Sequence, residues 1–295
     1  MSRLALAAFL LSFSSSHAQE NEQFQVEKLA EHLQFAAGPV WSKAGYLVFS
    51  DVPANRIYEA EPPTAETRKS RVSLIRADAN GPSGNALDAQ GRLYTCETHT
   101  RRVVRTDSKN RIEVLASEWQ GKRLNSPHAI VVRHDGHVWF TDPAFGSAND
   151  GRALDFYGVF HISPKGELTL AAKWPTRPGG VALSPDGTTL YVSDSDRHLI
   201  RAYTVDRDGK TTNERTLLSG IQGVPTGLCT APDGTVYIAA ANLFGMTPAG
   251  KLITHVDLGE KPTGCALGDS DGKSIYVTGH SNLYRVKFGV TPAEQ

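Results

Sequence analysis

The sequence predicts an all-β protein, specifically a six-bladed β-propeller whose ring is closed by an N-terminal strand. Three observations carry that expectation. A hairpin of an apolar run, a polar glycine turn and a second run rich in Val, Ile, Tyr, Phe and Trp recurs six times. Its turn glycines, Gly45, Gly91, Gly136, Gly187, Gly234 and Gly272, are spaced like the blades of a propeller, each a four-stranded sheet. Beyond the first 18 residues, no segment sustains a helical period.

The elements follow in order. Residues 1–18, MSRLALAAFLLSFSSSHA, place one Arg before a short apolar run and then small residues, with Ser16 and Ala18 at the positions a signal peptidase reads. This is the pattern of a secretory leader cleaved after Ala18, and the run is too short to span a bilayer. Residues 19–295 then form a single propeller domain, expected to be periplasmic or secreted. Phe24, Val26 and Leu29 alternate as in a strand, and such a strand completes the last blade and removes its exposed edge. The six hairpins are GPVWSKAGYLVFSD, NALDAQGRLYTCE, AIVVRHDGHVWFTD, GVALSPDGTTLYVSD, GLCTAPDGTVYIAA and CALGDSDGKSIYVTG. Third strands follow in RRVVRTD, GVFHIS, LIRAYTV and NLYRVKF.

Composition narrows the function classes. The chain has 295 residues, with 31 Lys and Arg against 31 Asp and Glu, so it carries no basic footprint for nucleic acid. No further membrane-spanning run exists. The partner expected is a small molecule. Cys96, Cys229 and Cys265 are an odd number without CxxC spacing, so they read as small buried hydrophobes, with at most one disulfide. GxSxG, P-loop and HExxH motifs do not occur.

Hairpin geometry locates the site. The start of each first strand and the end of each second strand share one edge of a blade, so both sets face the mouth of the central channel. The first set is Ala37, Ser83, His128, Gly179, Thr226 and either Thr263 or Gly264; the second is Asp51, Glu97, Asp142, Asp194, Ala240 and Gly279. Converging carboxylates need a cation, a proton or hydrogen-bond donors to neutralise them. Asp51 and Asp142, each followed closely by Pro, read instead as caps of local turns. His128 is the one imidazole of the first set, a candidate ligand or general base. His99, two residues past Glu97, could join it.

The segments FAAGPVWSKAGYLVFSD, GKRLNSPHAIVVRHDGHVWFTDPAFG and RPGGVALSPDGTTLYVSDS resemble the gluconolactonase, senescence-marker-protein and luciferin-regenerating-enzyme family of six-bladed propellers, from about Phe35 to Phe288. The resemblance implies a lactonase or related esterase with one divalent cation, Ca²⁺ or Zn²⁺, at the channel mouth to polarise the lactone carbonyl. It places the family's metal ligands at Ala37, His128 and Asp194, of which only the Asp is retained. Ca²⁺ takes six to eight oxygens, whereas His128, Asp194 and Glu97 form an N,O,O set suited to a softer ion. The expectation is therefore a hydrolase of a sugar lactone or related ester with a depleted metal site. Asp194 and His128 are its catalytic and metal-binding residues, and Glu97, Asn85, His99, Ser83 and Thr226 contact substrate. Two alternatives stand beside it: a binding propeller without turnover, and metal-free chemistry with His128 as base.

Overall fold

The structure is a computed structural model and describes residues 24–64, 66–146 and 151–289. The leader expected over 1–18 lies outside these. Every extended element of the described residues is a β-strand, and all but one small hairpin fall into six four-stranded antiparallel sheets.

Blade 1 is built from β2 (Ala36–Ser42), β3 (Tyr46–Asp51), β4 (Arg56–Glu61) and β5 (Arg71–Arg76). Blade 2 holds β6 (Pro82–Leu87), β7 (Leu93–Glu97), β8 (Arg102–Thr106) and β9 (Ile112–Ala116). A short hairpin, β10 (Glu118–Trp119) with β11 (Lys122–Arg123), precedes blade 3, which is β12 (Ile130–Val132), β13 (Val138–Asp142), β14 (Tyr157–Ile162) and β15 (Leu168–Trp174). Blade 4 is β16 (Pro178–Leu183), β17 (Thr189–Asp194), β18 (Leu199–Val205) and β19 (Thr211–Ser219). Blade 5 is β20 (Gly227–Thr230), β21 (Val236–Ala239), β22 (Leu243–Met246) and β23 (Leu252–Val256). Blade 6 takes β24 (Pro262–Gly268), β25 (Ser274–Gly279) and β26 (Leu283–Phe288) from the C-terminal end, and its outer strand is β1 (Phe24–Ala30).

The closing strand pairs in register from Phe24 opposite Phe288 to Lys28 opposite Tyr284. Arg285 donates to Glu27 across this seam, and Leu29 turns into the core. A strand drawn from the far end of the chain gives the last blade its fourth strand, covers the edge of β26 and ties the two ends of the chain together.

The core is not one mass but the seams between blades. Phe140, Phe160 and Val138 of blade 3 pack on Tyr94, Cys96 and Val103 of blade 2. Trp139 and Val159 face Val181, Leu190 and Val192 of blade 4, and Tyr276 and Ala266 of blade 6 meet Leu47 and Phe49 of blade 1. Each middle strand alternates its side chains between two seams, which is why the second runs of the hairpins read as nearly continuous apolar stretches.

The inner strands converge on the channel axis with little room between their backbones. A Cβ on Gly84 would lie 2.5 Å from the His128 carbonyl oxygen and 2.7 Å from the Ala129 Cα, and the Gly84 amide donates to that same carbonyl at 2.7 Å. Gly84→Ala therefore forces β6 away from the His128–Ala129 segment that leads into β12. The expected cost is about 1–3 kcal/mol, seen by calorimetry as a fall of several degrees in Tm. An unchanged Tm would show that the inner strands can separate freely.

Candidate functional site at the channel mouth

At the edge where the inner strands begin, a cavity of about 580 Å³ opens, lined by Ala37, Ser83, His128, Thr226 and Thr263 from five of the six strand starts. Register shifts in β2, β6, β16 and β24 interrupt the regular pleat at these starts, and bulges of this kind re-aim side chains. The sixth start resolves to Thr263; a Cβ on Gly264 would instead meet Pro39. Gly179 is not on the wall, because the Ser193 and Ser195 hydroxyls and the Pro225 carbonyl crowd the space where its side chain would sit.

His128 is the chemical centre of this wall. Its Nδ1 lies 3.1 Å from the Ser83 Oγ, and Phe145 meets the imidazole edge-on with centroids 4.8 Å apart. The backbone anchors the residue on both sides, since the His128 amide donates to the Thr141 carbonyl at 2.9 Å and its carbonyl accepts from Gly84. Part of the ring faces the cavity, yet the surrounding protein disfavours a charge there. Desolvation pushes the imidazole pKa down to about 4, and only the Thr226 backbone opposes this by accepting from the ring. In the tautomer whose ring N–H points to the Thr226 backbone, Nδ1 accepts from the Ser83 hydroxyl.

The strand starts alone do not complete the wall. Phe35, Ser126, Arg177 and Val224 also line it, and each stands two residues before a predicted start, at Ala37, His128, Gly179 and Thr226. Counting two residues further back from each turn glycine than the starts themselves finds all four. Asp196 holds Arg177, accepting from its Nε at 2.9 Å and from its backbone amide at 2.9 Å. The guanidinium lies 5.3 Å from the centre of the Phe145 ring. Val52, Thr98, His99 and Gly146 complete the lining, so His99 stands where expected, at the exposed rim.

The four carboxylates of the second set are absent from this wall, which corrects the expected placement of Asp194 and Glu97. They turn back into the protein and brace the segments that lead into the inner strands. Asp51 accepts from the Gln34 and Phe35 amides, each at 3.0 Å. Asp142 accepts from the Asn125 and Ser126 amides at 2.7 and 2.6 Å; burial raises its pKa to about 7 against the pull of those amides and Arg101. Asp194 accepts from the Thr176 hydroxyl at 2.8 Å, the Arg197 amide at 3.0 Å and the Arg201 guanidinium at 3.2 Å. Glu97 takes Asn80, Thr100 and Arg102 on one oxygen and Arg76 on the other. Burial opposes its ionisation, but the bonds from Arg102, Thr100 and Arg76 hold its pKa below the usual carboxylate value. Asn85 is likewise spent internally, donating to the Gly38 and Ser83 carbonyls and the Ser50 hydroxyl while accepting from Thr95. It therefore does not reach the substrate cavity.

The donor set fits a divalent cation poorly. Among the described residues, the cavity wall carries imidazoles, hydroxyls and a guanidinium but no carboxylate or carboxamide. Among the described residues, no three His, Cys, Asp or Glu side chains gather closely enough to hold a metal. The set His128, Asp194 and Glu97 is thus not assembled.

The SMP-30/Gluconolactonase/LRE-like region family matches residues 35–281. The chain belongs to that family. It is 32% identical over 291 residues to a gluconolactonase of Zymomonas mobilis, covering 89% of this chain and 81% of that one. A solved gluconolactonase from Xanthomonas campestris superposes with a TM-score of 0.82 at 29% identity, covering 90% of both chains. These relatives place the chain among lactonase-type hydrolases. A calcium-binding regucalcin from Agrobacterium tumefaciens shares the fold, with a TM-score of 0.72 at 17% identity over 92% of this chain and 98% of that one.

If Asp194 is a brace and not a ligand, Asp194→Ala lowers stability by about 1–3 kcal/mol by removing a buried acceptor from its part-buried donors. Its Tm and that of the wild type should be unmoved by EDTA, Ca²⁺ or Zn²⁺. A cation-dependent Tm present in the wild type and lost in the variant would restore the ligand role.

Proposed function

We propose that the protein is an exported hydrolase that opens a lactone without a resident metal, using neutral His128 with Ser83 as its proton-transfer pair. The observation that carries this reading is the Ser83 Oγ to His128 Nδ1 hydrogen bond in the wall of the mouth cavity. Export rests on the leader-like residues 1–18. The relatives named gluconolactonase support a lactone as substrate.

The chemistry follows from protonation states. A lactone is an internal ester, so its opening needs a nucleophilic oxygen at the carbonyl carbon and a proton for the departing ring oxygen. A water hydrogen-bonded to Ser83 attacks the carbonyl and passes a proton to Oγ as the Ser83 proton moves to Nδ1. The ring C–O bond breaks, and the imidazolium returns the proton to the alkoxide, leaving a hydroxy acid. An imidazole with a pKa near 4 is a weak base, but its conjugate acid is strong, so protonating the leaving group is favourable. Arg177, held by Asp196 through Nε and Nη2, supplies the cationic donor of the wall for the carboxylate that forms.

The imidazole must be neutral to act, and its pKa is about 4. The rate of enzymatic lactone opening is therefore expected to be flat above about pH 5 and to fall as pH drops through 4. His128→Ala should lower kcat about 100-fold or more and abolish the acid limb, with EDTA having no effect on the wild type. Full turnover in His128→Ala, or activity lost to EDTA and restored by a divalent cation, would overturn the proposal. Tight binding of a lactone with no turnover in the wild type would favour the binding-propeller reading, which the carboxylate-free wall also fits.

A further inference from the structure

The substrate class can be narrowed from what the cavity offers a ligand, an inference that rests on the hydrolase reading above. We infer that the preferred substrate is a lactone bearing an aliphatic or aromatic substituent, and not a polyhydroxylated sugar lactone.

A sugar lactone carries several hydroxyls, and each that leaves water needs a partner within the site. The wall has few to give. Thr98 Oγ1 donates to the Gly81 carbonyl at 2.9 Å, Thr226 Oγ1 to the Thr263 carbonyl at 3.1 Å and Thr263 Oγ1 to the Ala36 carbonyl. Ser83 is engaged with His128. Among the described residues, no carboxylate or carboxamide faces the cavity, because Asp51, Glu97, Asp142, Asp194 and Asn85 are all drawn into the scaffold. Among the described residues, the side-chain donors left for a ligand are the Ser126 hydroxyl, the His99 ring and the Arg177 guanidinium.

Much of the rest of the surface is apolar. Phe35, Val52, Phe145 and Val224 line the cavity with Ala37, and Val224 is 47% exposed at the rim. An apolar residue that open to water in a cavity wall gains from covering by a hydrocarbon group. Phe145 touches both His128 and Arg177, so an apolar substituent on this wall sits beside the reacting pair and not at a remote patch. The polar groups left over match one ring ester and the carboxylate of its product, while the apolar groups match a substituent.

The test compares two six-membered lactones, δ-decalactone and glucono-1,5-lactone, with the mature protein. The expected result is a kcat/KM at least about tenfold higher for δ-decalactone. Val224→Asp should lower that value about tenfold. An equal or higher kcat/KM for glucono-1,5-lactone would overturn the inference. Binding is read separately with the unreactive lactams of the same two skeletons. Preference for the alkyl lactam with neither lactone turned over would uphold this cavity assignment while overturning the hydrolase reading. Preference for the sugar lactam, or binding of neither, would overturn the assignment itself.

Discussion

The structure depends on the close approach of backbone to backbone where six inner strands meet around one axis. At Gly84 there is no space for a Cβ beside the His128 carbonyl, and at Gly227 one would lie 2.5 Å from the Gly264 Cα. Neighbouring blades touch there through main chain, not side chain. The seams further out are filled by residues such as Trp139, Phe140, Phe160 and Tyr276, each buried completely. A wedge with a thin inner end and a thick outer end is the shape that six copies need to close a ring. The same constraint sets the site, because the segment carrying His128 is held against β6 through the Gly84 amide.

The carboxylates at the ends of the second strands extend this logic outward. Asp51 and Asp142 each close on two consecutive backbone amides, and those amides lie just ahead of the inner strands. Asp142 thereby braces the segment leading to His128, and Asp51 braces Phe35. Backbone amides at such positions would otherwise be unpaired, and a buried amide without a partner costs more than a good bond contributes. The consequence for chemistry is indirect but large. With its acids consumed as braces, the mouth holds a neutral imidazole among hydroxyls, aromatic rings and one guanidinium, which suits proton transfer to and from an uncharged ester.

Much of the architecture was legible in the chain. Six glycine turns at a near-constant interval and alternating apolar residues around Val26 specify the blades and the closing strand, because hairpins and seam packing are local and periodic. His128, Ser83, Thr226 and His99 were legible for the same reason, being fixed by their distance from a turn. Phe35, Ser126, Arg177 and Val224 obey that rule too, but they precede the inner-strand starts to which it was applied. The small hairpin at Glu118–Arg123 breaks the repeat and had no periodic signal.

The sequence alone determined the fold and five of the six strand starts, since each follows from spacing along one strand or one turn, while the family came from the resemblance of whole hairpin segments. Only the tertiary structure decided which way the acids point. A carboxylate at a strand end can lean into the channel or back toward the preceding segment, and the two choices share one sequence pattern. The choice is made by which donors surround each buried carboxylate: Thr176, Arg197 and Arg201 around Asp194, and Arg76, Asn80, Thr100 and Arg102 around Glu97. Those donors come from separate turns and strands, and their convergence exists only once the chain is folded.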